Sequence, residues 1–259
     1  MYKKRYNSRN IRGKLRVCRY LRANPSLKSN VPHTKAFTLA NLRSMTDKYN
    51  SVYIKPDIGS MGIGVYKLNM TGSGYELYST SKRKQRRDYF SSRSAVYKHL
   101  KKKQGSSRMI IQRTIPLDTV EGRPYDIRTM VQRKPGKSWV CTGFLVKVGK
   151  PERIVTNYYQ GGRIYTLSKW MRKKGWSETA SRAREQQLSG TALAISQTLS
   201  KRRSGMHEMG IDFAYDRHDR LWVLEVNSNH PQFYPLRKLD RAVFQKMKQY
   251  ARSYGRMDA

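Results

Sequence analysis

The sequence predicts an α+β fold in which antiparallel strands carry helices packed on them. Three features predict it. Two alternating runs, residues 126–133 and 138–148, flank Pro135-Gly136-Lys137, the pattern of a β-hairpin. Two apolar strands, 210–215 and 221–226, are joined by the polar turn Asp216-Arg217-His218-Asp219-Arg220. The longest helical periodicity, 178–203, puts Leu188, Ala192, Ile195 and Leu199 on one face. No internal repeat and no Pro/Gly/Ser linker interrupts the 259 residues, a length that suits one large domain or two small intertwined ones.

In chain order, residues 1–13 are polar and basic and predict a flexible terminus. Residues 14–21 space Leu15, Cys18 and Leu21 as a helix, which Asn24-Pro25-Ser26 ends. Val31-Pro32-His33-Thr34 reads as an extended turn, and Leu39, Leu42, Met45 and Tyr49 recur as on an amphipathic helix. Short strands at 52–55 and 65–68 then enclose Pro56-Asp57-Ile58-Gly59-Ser60-Met61-Gly62-Ile63-Gly64. Three glycines in six residues let the backbone bend so that its N–H groups face an anion, with Lys55 alongside. The glycines lead back into a strand and not into a helix, so this is a hairpin flap, distinct from a P-loop or dinucleotide motif. Flaps of this kind cover nucleotide phosphates, and a plain surface hairpin is the alternative. A strand near 75–79, a basic helix over 92–103, a buried strand over 108–115, a loop at 158–162 and a closing helix over 238–251 complete the chain.

Composition bounds the partners. Against 54 Lys and Arg stand 17 Asp and Glu, a net charge of +37. Nucleic acid, other polyanions and anionic lipid are the partners such a charge favours, although no nucleic-acid motif accompanies it; a solubilising surface is the alternative. No apolar run spans a bilayer, the basic N-terminus has no apolar stretch after it, and two cysteines, Cys18 and Cys141, make neither a disulfide framework nor a metal cluster. These features fit a reducing, cytoplasmic setting. His33, His99 and His207 have no partner spacing and read as structural or surface residues.

Five of the 17 carboxylates fall between Glu208 and Glu225. Asp216 and Asp219 belong to the turn. Asp212 and Glu225 can meet on neighbouring antiparallel strands, and Asn227, two residues beyond Glu225, points to the same face. Three oxygen donors at one point suit Mg²⁺, which takes one or two carboxylates and completes its shell with phosphate and water. Pairing with surplus Arg or Lys is the alternative, but it leaves Asn227 and the apolar flanks Ile211, Phe213, Leu224 and Val226 unexplained.

The runs Y-I-K-P-D-I-G-S-M-G-I-G-V, I-I-Q-R-T-I-P-L, R-P-Y-D-I-R-T-M-V-Q and G-I-D-F-A-Y-D…L-W-V-L-E-V-N, in this order, resemble the YheC/YheD-like ATP-grasp family associated with endospore coats. The resemblance covers roughly residues 14–239. It implies an ATP-grasp domain over 14–255 whose two α+β subdomains, with antiparallel sheets, clasp ATP: about 30–108 with the flap and 109–255 with the metal site. It gives the preceding α/β domain of many ATP-grasp enzymes no counterpart here, which bears on how the acceptor is held. It implies that Lys14, Lys55, Gly59, Ser60, Gly62 and Gly64 bind the phosphates. Gln112, Arg113 and Ile115 hold adenine, Asp118 contacts ribose, and Asn157 follows with Gly161 and Gly162. Gln112 stands where the superfamily often has Glu. Asp212, Glu225 and Asn227 are the implied Mg²⁺ ligands, and Arg128 and Lys147 the catalytic cations. Arg128 lies in an alternating strand between Ile127 and Met130, and Lys147 alternates with Val146 and Val148.

The expectation is a Mg-ATP-binding, ATP-dependent carboxylate–amine ligase acting through an acyl phosphate on an acidic acceptor and linked to the spore coat. The rival is a non-enzymatic basic coat protein that binds polyanions on a degenerate ATP-grasp fold. A general nucleic-acid binder would instead show steep salt dependence and indifference to magnesium.

Overall fold

The computed structural model describes residues 4–59, 62–81, 84–151, 153–156 and 162–258. In chain order it begins with helices α1 (Lys14–Arg22) and α2 (Pro25–Lys28), strand β1 (Thr34–Ala36) and helix α3 (Leu39–Lys48). Strands β2 (Ser51–Pro56), β3 (Tyr66–Thr71), β4 (Gly74–Ser81) and β5 (Lys84–Phe90), helix α4 (Arg93–Gln104) and strand β6 (Met109–Arg113) follow. Then come β7 (Thr119–Val120), β8 (Arg123–Gln132), β9 (Val140–Val148) and β10 (Arg163–Tyr165), with helices α5 (Leu167–Lys173) and α6 (Glu178–Arg202). The chain closes with β11 (Glu208–Tyr215), β12 (Leu221–Asn227), α7 (Leu236–Leu239) and α8 (Arg241–Ser253).

Two antiparallel sheets result. The first has the order β1-β6-β2-β3-β4-β5 and the second β10-β9-β8-β11-β12, with β7 paired to β8. In β2, Val52 and Ile54 are buried with Leu42 and Met45 of α3 and Val96 and Leu100 of α4, so the alternating residues Tyr53 and Lys55 face the other way. In the second sheet Ile127, Val146, Ile211 and Phe213 share a core with Leu188, Ala192, Ile195 and Leu199 of α6. Burying one such Leu or Ile is worth about 1.5–3 kcal/mol. Helices α7 and α8 pack near the opposite face through Leu236, Phe244 and Met247 against Met130 and Leu145.

Several elements differ from the sequence reading for identifiable reasons. β5 lies where 82–87 reads only as a charge cluster; its Lys84-Gln85-Arg86-Arg87 run has no apolar alternation, and charge suits an edge strand that must not pair further. β1 replaces the end of an expected turn because Thr34, Lys35 and Ala36 pair with β6. That same pairing, with β2 on the other side, places 109–113 in the first sheet, although a second subdomain was expected to start at 109. The terminus expected to be flexible is tied down over its described part. Ile11 joins the second core, Lys4 pairs with the fully buried Glu208 at 3.1 Å, and Ile11 N donates to Ser228 Oγ at 3.0 Å.

Candidate functional site

The site starts from strand register. Asp212 on β11 lies opposite Arg128 on β8 and opposite Glu225 on β12, and Asp126 on β8 lies opposite Lys147 on β9. Arg128 grips Asp212 with two charge-assisted bonds, Nε to Oδ1 and Nη2 to Oδ2, both 2.7 Å. Lys147 Nζ lies 2.6 Å from Asp126 Oδ1 and 3.3 Å from Asp212 Oδ1. Burial by itself would raise the Asp212 pKa, but Arg128 and Lys147 outweigh it and hold this carboxyl well below the usual range. For Asp126 burial prevails and the pKa is raised. Lys147, opposed by burial, is raised by Asp126 and Asp212.

Gly210 makes this arrangement possible. A Cβ there would lie 2.8 Å from Pro231 Cβ and 2.9 Å from Arg128 Cδ, so the bare backbone leaves the channel through which Arg128 reaches Asp212. Two residues along the partner strand from each other, Glu225 and Asn227 share a face. Glu225 Oε1 lies 3.2 Å from Lys14 Nζ, which also donates to Gly59 O at 3.1 Å. Lys14 thereby ties the flap to β12. It is placed by Asp57, whose Oδ1 accepts from Leu15 N at 2.8 Å and whose carbonyl accepts from Lys14 N at 3.0 Å at the start of α1.

From the first sheet, Lys55 Nζ donates to Gln112 Oε1 at 2.9 Å, and Gln112 Nε2 donates to Thr34 Oγ1 at 2.8 Å. Burial lowers the Lys55 pKa, and Glu225 partly offsets this. Arg113 stacks over Tyr49 and Trp222, at 5.4 and 4.9 Å.

A cleft of about 570 Å³ between the sheets takes its lining from both of them. Of the residues expected at the site, Lys14, Lys55, Gly59, Gly62, Gln112, Arg113, Ile115, Arg128, Lys147, Asp212, Glu225 and Asn227 all line it. Gly64 and Asp118 are not among its lining residues; Asp118 instead accepts from Tyr125 OH at 2.7 Å and pairs with Lys174 at 2.8 Å. Ser60, Asn157 and Gly161 lie outside the described residues. The lining side chains include six cations, Lys14, Lys55, Arg113, Arg128, Lys147 and Arg153, against three carboxylates, so the lining carries a surplus of positive charge.

Asp126, Thr156 and Tyr53 are lining residues that the sequence reading did not single out. The Thr156 hydroxyl donates to Asp126 Oδ2, and Tyr53 OH donates to Ile154 O at 2.8 Å. Asp126 had a signal, since it stands two residues before Arg128 in an alternating strand and therefore on its face. Thr156 and Ile154 had none, because only the fold brings their loop to β8 and β2.

The loop after Asn227 is held by both chain ends. Lys4 Nζ donates to Ser228 O at 2.9 Å, Asn10 Nδ2 to Asn229 Oδ1 at 2.6 Å, and Arg256 Nη1 to Pro231 O at 3.0 Å. Arg256 also bonds Glu208 Oε2 at 2.7 Å, and His230 Nδ1 lies 2.9 Å from Tyr6 OH. Among the described residues no group of three or more His, Cys, Asp or Glu side chains is arranged to hold a metal. Asp212 and Glu225 supply two carboxylates, with Asn227 as a third oxygen donor. No described helix is long and apolar enough to cross a membrane.

The chain is 29% identical over 183 residues to the endospore coat-associated protein YheD of Bacillus subtilis (strain 168), a match covering 70% of this chain and 39% of the relative. It is 23% identical over 236 residues to the endospore coat-associated protein YheC of the same organism, covering 87% of this chain and 62% of the relative. The matched parts are therefore less than two thirds of either relative. The YheC/D-like ATP-grasp family model matches residues 3–256, nearly the whole chain. Two antiparallel sheets with helices on them, a glycine flap on one and acidic strands on the other, agree with that match. This chain has the α+β ATP-grasp fold and belongs to the YheC/D-like ATP-grasp family.

Proposed function

We propose that the cleft binds ATP with magnesium and that the chain is an ATP-dependent carboxylate–amine ligase acting through an acyl phosphate. The observation that carries the reading is Lys55. Its partly buried ammonium makes one hydrogen bond, to the neutral Gln112 amide, and no ion pair among the described residues. A cation so placed at the base of the flap, facing a cleft with surplus positive charge, is suited to phosphate. Ile115, Leu117 and Leu224 give the same cleft apolar walls for a base, and Arg113 brings a planar cation.

The donor set fits magnesium by its chemistry: Asp212, Glu225 and Asn227 are hard oxygen donors. Bound there with the nucleotide, the metal would neutralise phosphate charge. A carboxylate oxygen of the acceptor attacks the γ-phosphorus, the bond to the bridging β-oxygen breaks, and ADP leaves with that electron pair. The amine nitrogen then attacks the acyl carbon, the bond to phosphate oxygen breaks, and the ammonium proton passes to solvent. Arg128 and Lys147 stabilise the negative charge that develops on the phosphoryl and acyl oxygens, held in place by Asp212 and Asp126. The +37 charge favours an acidic acceptor, and the names of the relatives suggest a place at the endospore coat.

A second reading is a coat protein that binds polyanions without turnover. It is favoured by Arg128, whose two bonds occupy both Asp212 oxygens. Thermal melting separates the two. Mg-ATP at a hundredfold excess over its dissociation constant stabilises by about 2.7 kcal/mol. The ligase reading expects this rise to need magnesium, to be lost in Glu225→Gln and Lys55→Met, and not to be matched by tripolyphosphate. Equal responses to ATP and tripolyphosphate, unchanged in both variants, would establish the polyanion reading instead.

A further inference from the structure

Glu208, the first residue of β11, is fully buried and is not among the lining residues of the cleft. Side chains from both chain ends meet its carboxylate. Lys4 Nζ lies 3.1 Å from Oε1, the Tyr6 hydroxyl donates to the same oxygen, and Arg256 Nη1 donates to Oε2 at 2.7 Å. Tyr254 OH adds a bond to Oε2 at 3.1 Å. Lys4, Tyr6 and Arg256 each reach onward to the loop 228–232. Lys4 Nζ donates to Ser228 O at 2.9 Å and Arg256 Nη1 to Pro231 O at 3.0 Å. His230 closes a ring, its Nδ1 2.9 Å from Tyr6 OH and its Nε2 3.3 Å from Arg256 Nη2.

The loop held in this way borders the site. It begins directly after Asn227, and His230, Pro231 and Gln232 line the cleft. Arg128 Nη1 donates to Gln232 O at 3.4 Å. A Cβ on Gly210 would meet Pro231 and Arg128 together, so Pro231 forms one wall of the channel through which Arg128 reaches Asp212. As a source of stability alone, a buried carboxylate among cations gains little over apolar side chains of the same volume. Apolar packing would not direct bonds from one point to three residues of a loop. We propose that Glu208 is a positioning residue: through Lys4, Tyr6 and Arg256 it fixes the loop 228–232, and with it the metal ligand Asn227 and the course of Arg128. The consequence for magnesium and nucleotide rests on the ligase reading; the hold on the loop does not.

Two variants test it. Glu208→Gln keeps the volume and removes the charge, and Tyr6→Phe keeps the Lys4 and Arg256 ion pairs and removes only the hydroxyl. Leu100→Ala, in the core of the first sheet, is the control for lost stability. Titration calorimetry of the whole chain with Mg-ATP is run at a temperature where circular dichroism shows each variant folded, and amide hydrogen exchange reads the loop. The expected result is Mg-ATP affinity lowered roughly tenfold in Glu208→Gln and Tyr6→Phe, the usual effect of removing a group that orients metal ligands. Exchange over 228–232 is expected to quicken in the same two variants, and Leu100→Ala to match wild type in both readouts. Should Glu208→Gln fail to fold, Tyr6→Phe decides alone. Wild-type affinity or wild-type loop exchange in Tyr6→Phe would overturn the inference, and so would an equal loss of affinity in Leu100→Ala. A wild type without any magnesium-dependent response to ATP would sink the ligase reading instead. Faster loop exchange in the variants would then still support the hold of Glu208 on the loop, and unchanged exchange would sink both.

Discussion

Asp212 stays ionised inside the protein because two cations surround it. Arg128 supplies a planar fork and Lys147 a point charge, and only the fork makes two parallel bonds. Replacing Arg128 by Met would leave a buried carboxylate with Lys147 alone, at a cost of about 3–5 kcal/mol in urea unfolding. Adding Asp212→Asn to that variant should recover part of the loss, since the unpaired charge goes with it. The pH dependence has a definite sign. The folded-state pKa of Asp212 is depressed, so its contribution is complete above the unfolded carboxyl value of about 3.9 and is lost as pH falls through the folded value. Asp126, raised by burial, works in the opposite direction. Acid titration of stability should therefore be shallower in Arg128→Met than in wild type below about pH 4, and the difference between the two curves reports the carboxylates that Arg128 faces, Asp212 above all.

At the scale of elements, α1 and the flap depend on each other. Helix α1 starts after Gly13, which offers no side-chain cap, and Asp57 from the flap takes that role across 42 residues of sequence. The fit is close: a Cβ on Gly13 would lie 2.9 Å from Asp57 Oδ2. Asp57→Ala should cost about 1 kcal/mol of stability, the usual worth of an N-cap. It should also weaken Mg-ATP binding through Lys14, which the same contact places between Gly59 and Glu225. Asp57→Asn, which keeps an accepting oxygen, should restore most of both; a loss of stability with ATP affinity unchanged would separate the cap from the site. Helix α8 depends on a glycine of β9 in a comparable way. A Cβ at Gly143 would lie 2.7 Å from Met247 Cε and would also meet Val243, so the helix rests directly on the strand.

At the scale of the molecule, a charge of +37 on 259 residues must be carried against self-repulsion. Several buried cations are consumed internally: Lys4 and Arg256 by Glu208, Arg128 and Lys147 by Asp212 and Asp126. Most of the remainder stand on the surface, where salt screens them within about 10 Å at 0.1 M ionic strength. The melting temperature should therefore rise with sodium chloride between low and moderate concentrations, while the Glu208 network, being buried, contributes alike at both. Arg256→Met should lower stability by about 3–5 kcal/mol at either salt concentration, the range for removing one partner of a buried ion pair. A flat melting profile with salt would mean that surface repulsion has little weight.

Much of this was legible in the chain. The periodicities of α1, α3, α6, β8, β9, β11 and β12 follow from side chains that must be buried on one face, and such patterns are local. The spacing of Asp212, Glu225 and Asn227 is local too, because two strands joined by a short turn have almost no freedom in which residues meet. What only the tertiary structure decided depends on distant segments. β6 joined the first sheet because its partners, β1 and β2, lie far back in the chain. Residues 4–13, too polar to predict an ordered position, are held because Lys4 finds a buried carboxylate 204 residues away and the loop after Asn227 offers acceptors to Lys4 and Asn10. Lys147, flanked by valines, gave no sign of its partners; the register of β8 and β9 set it against Asp126. Gly210 carried no signal either, since its use is the space it leaves for a side chain from another strand. Sequence determines which face of each element is apolar and which residues of one hairpin can converge. Which hairpins then share a cleft is decided by packing between elements, where contacts form regardless of distance along the chain.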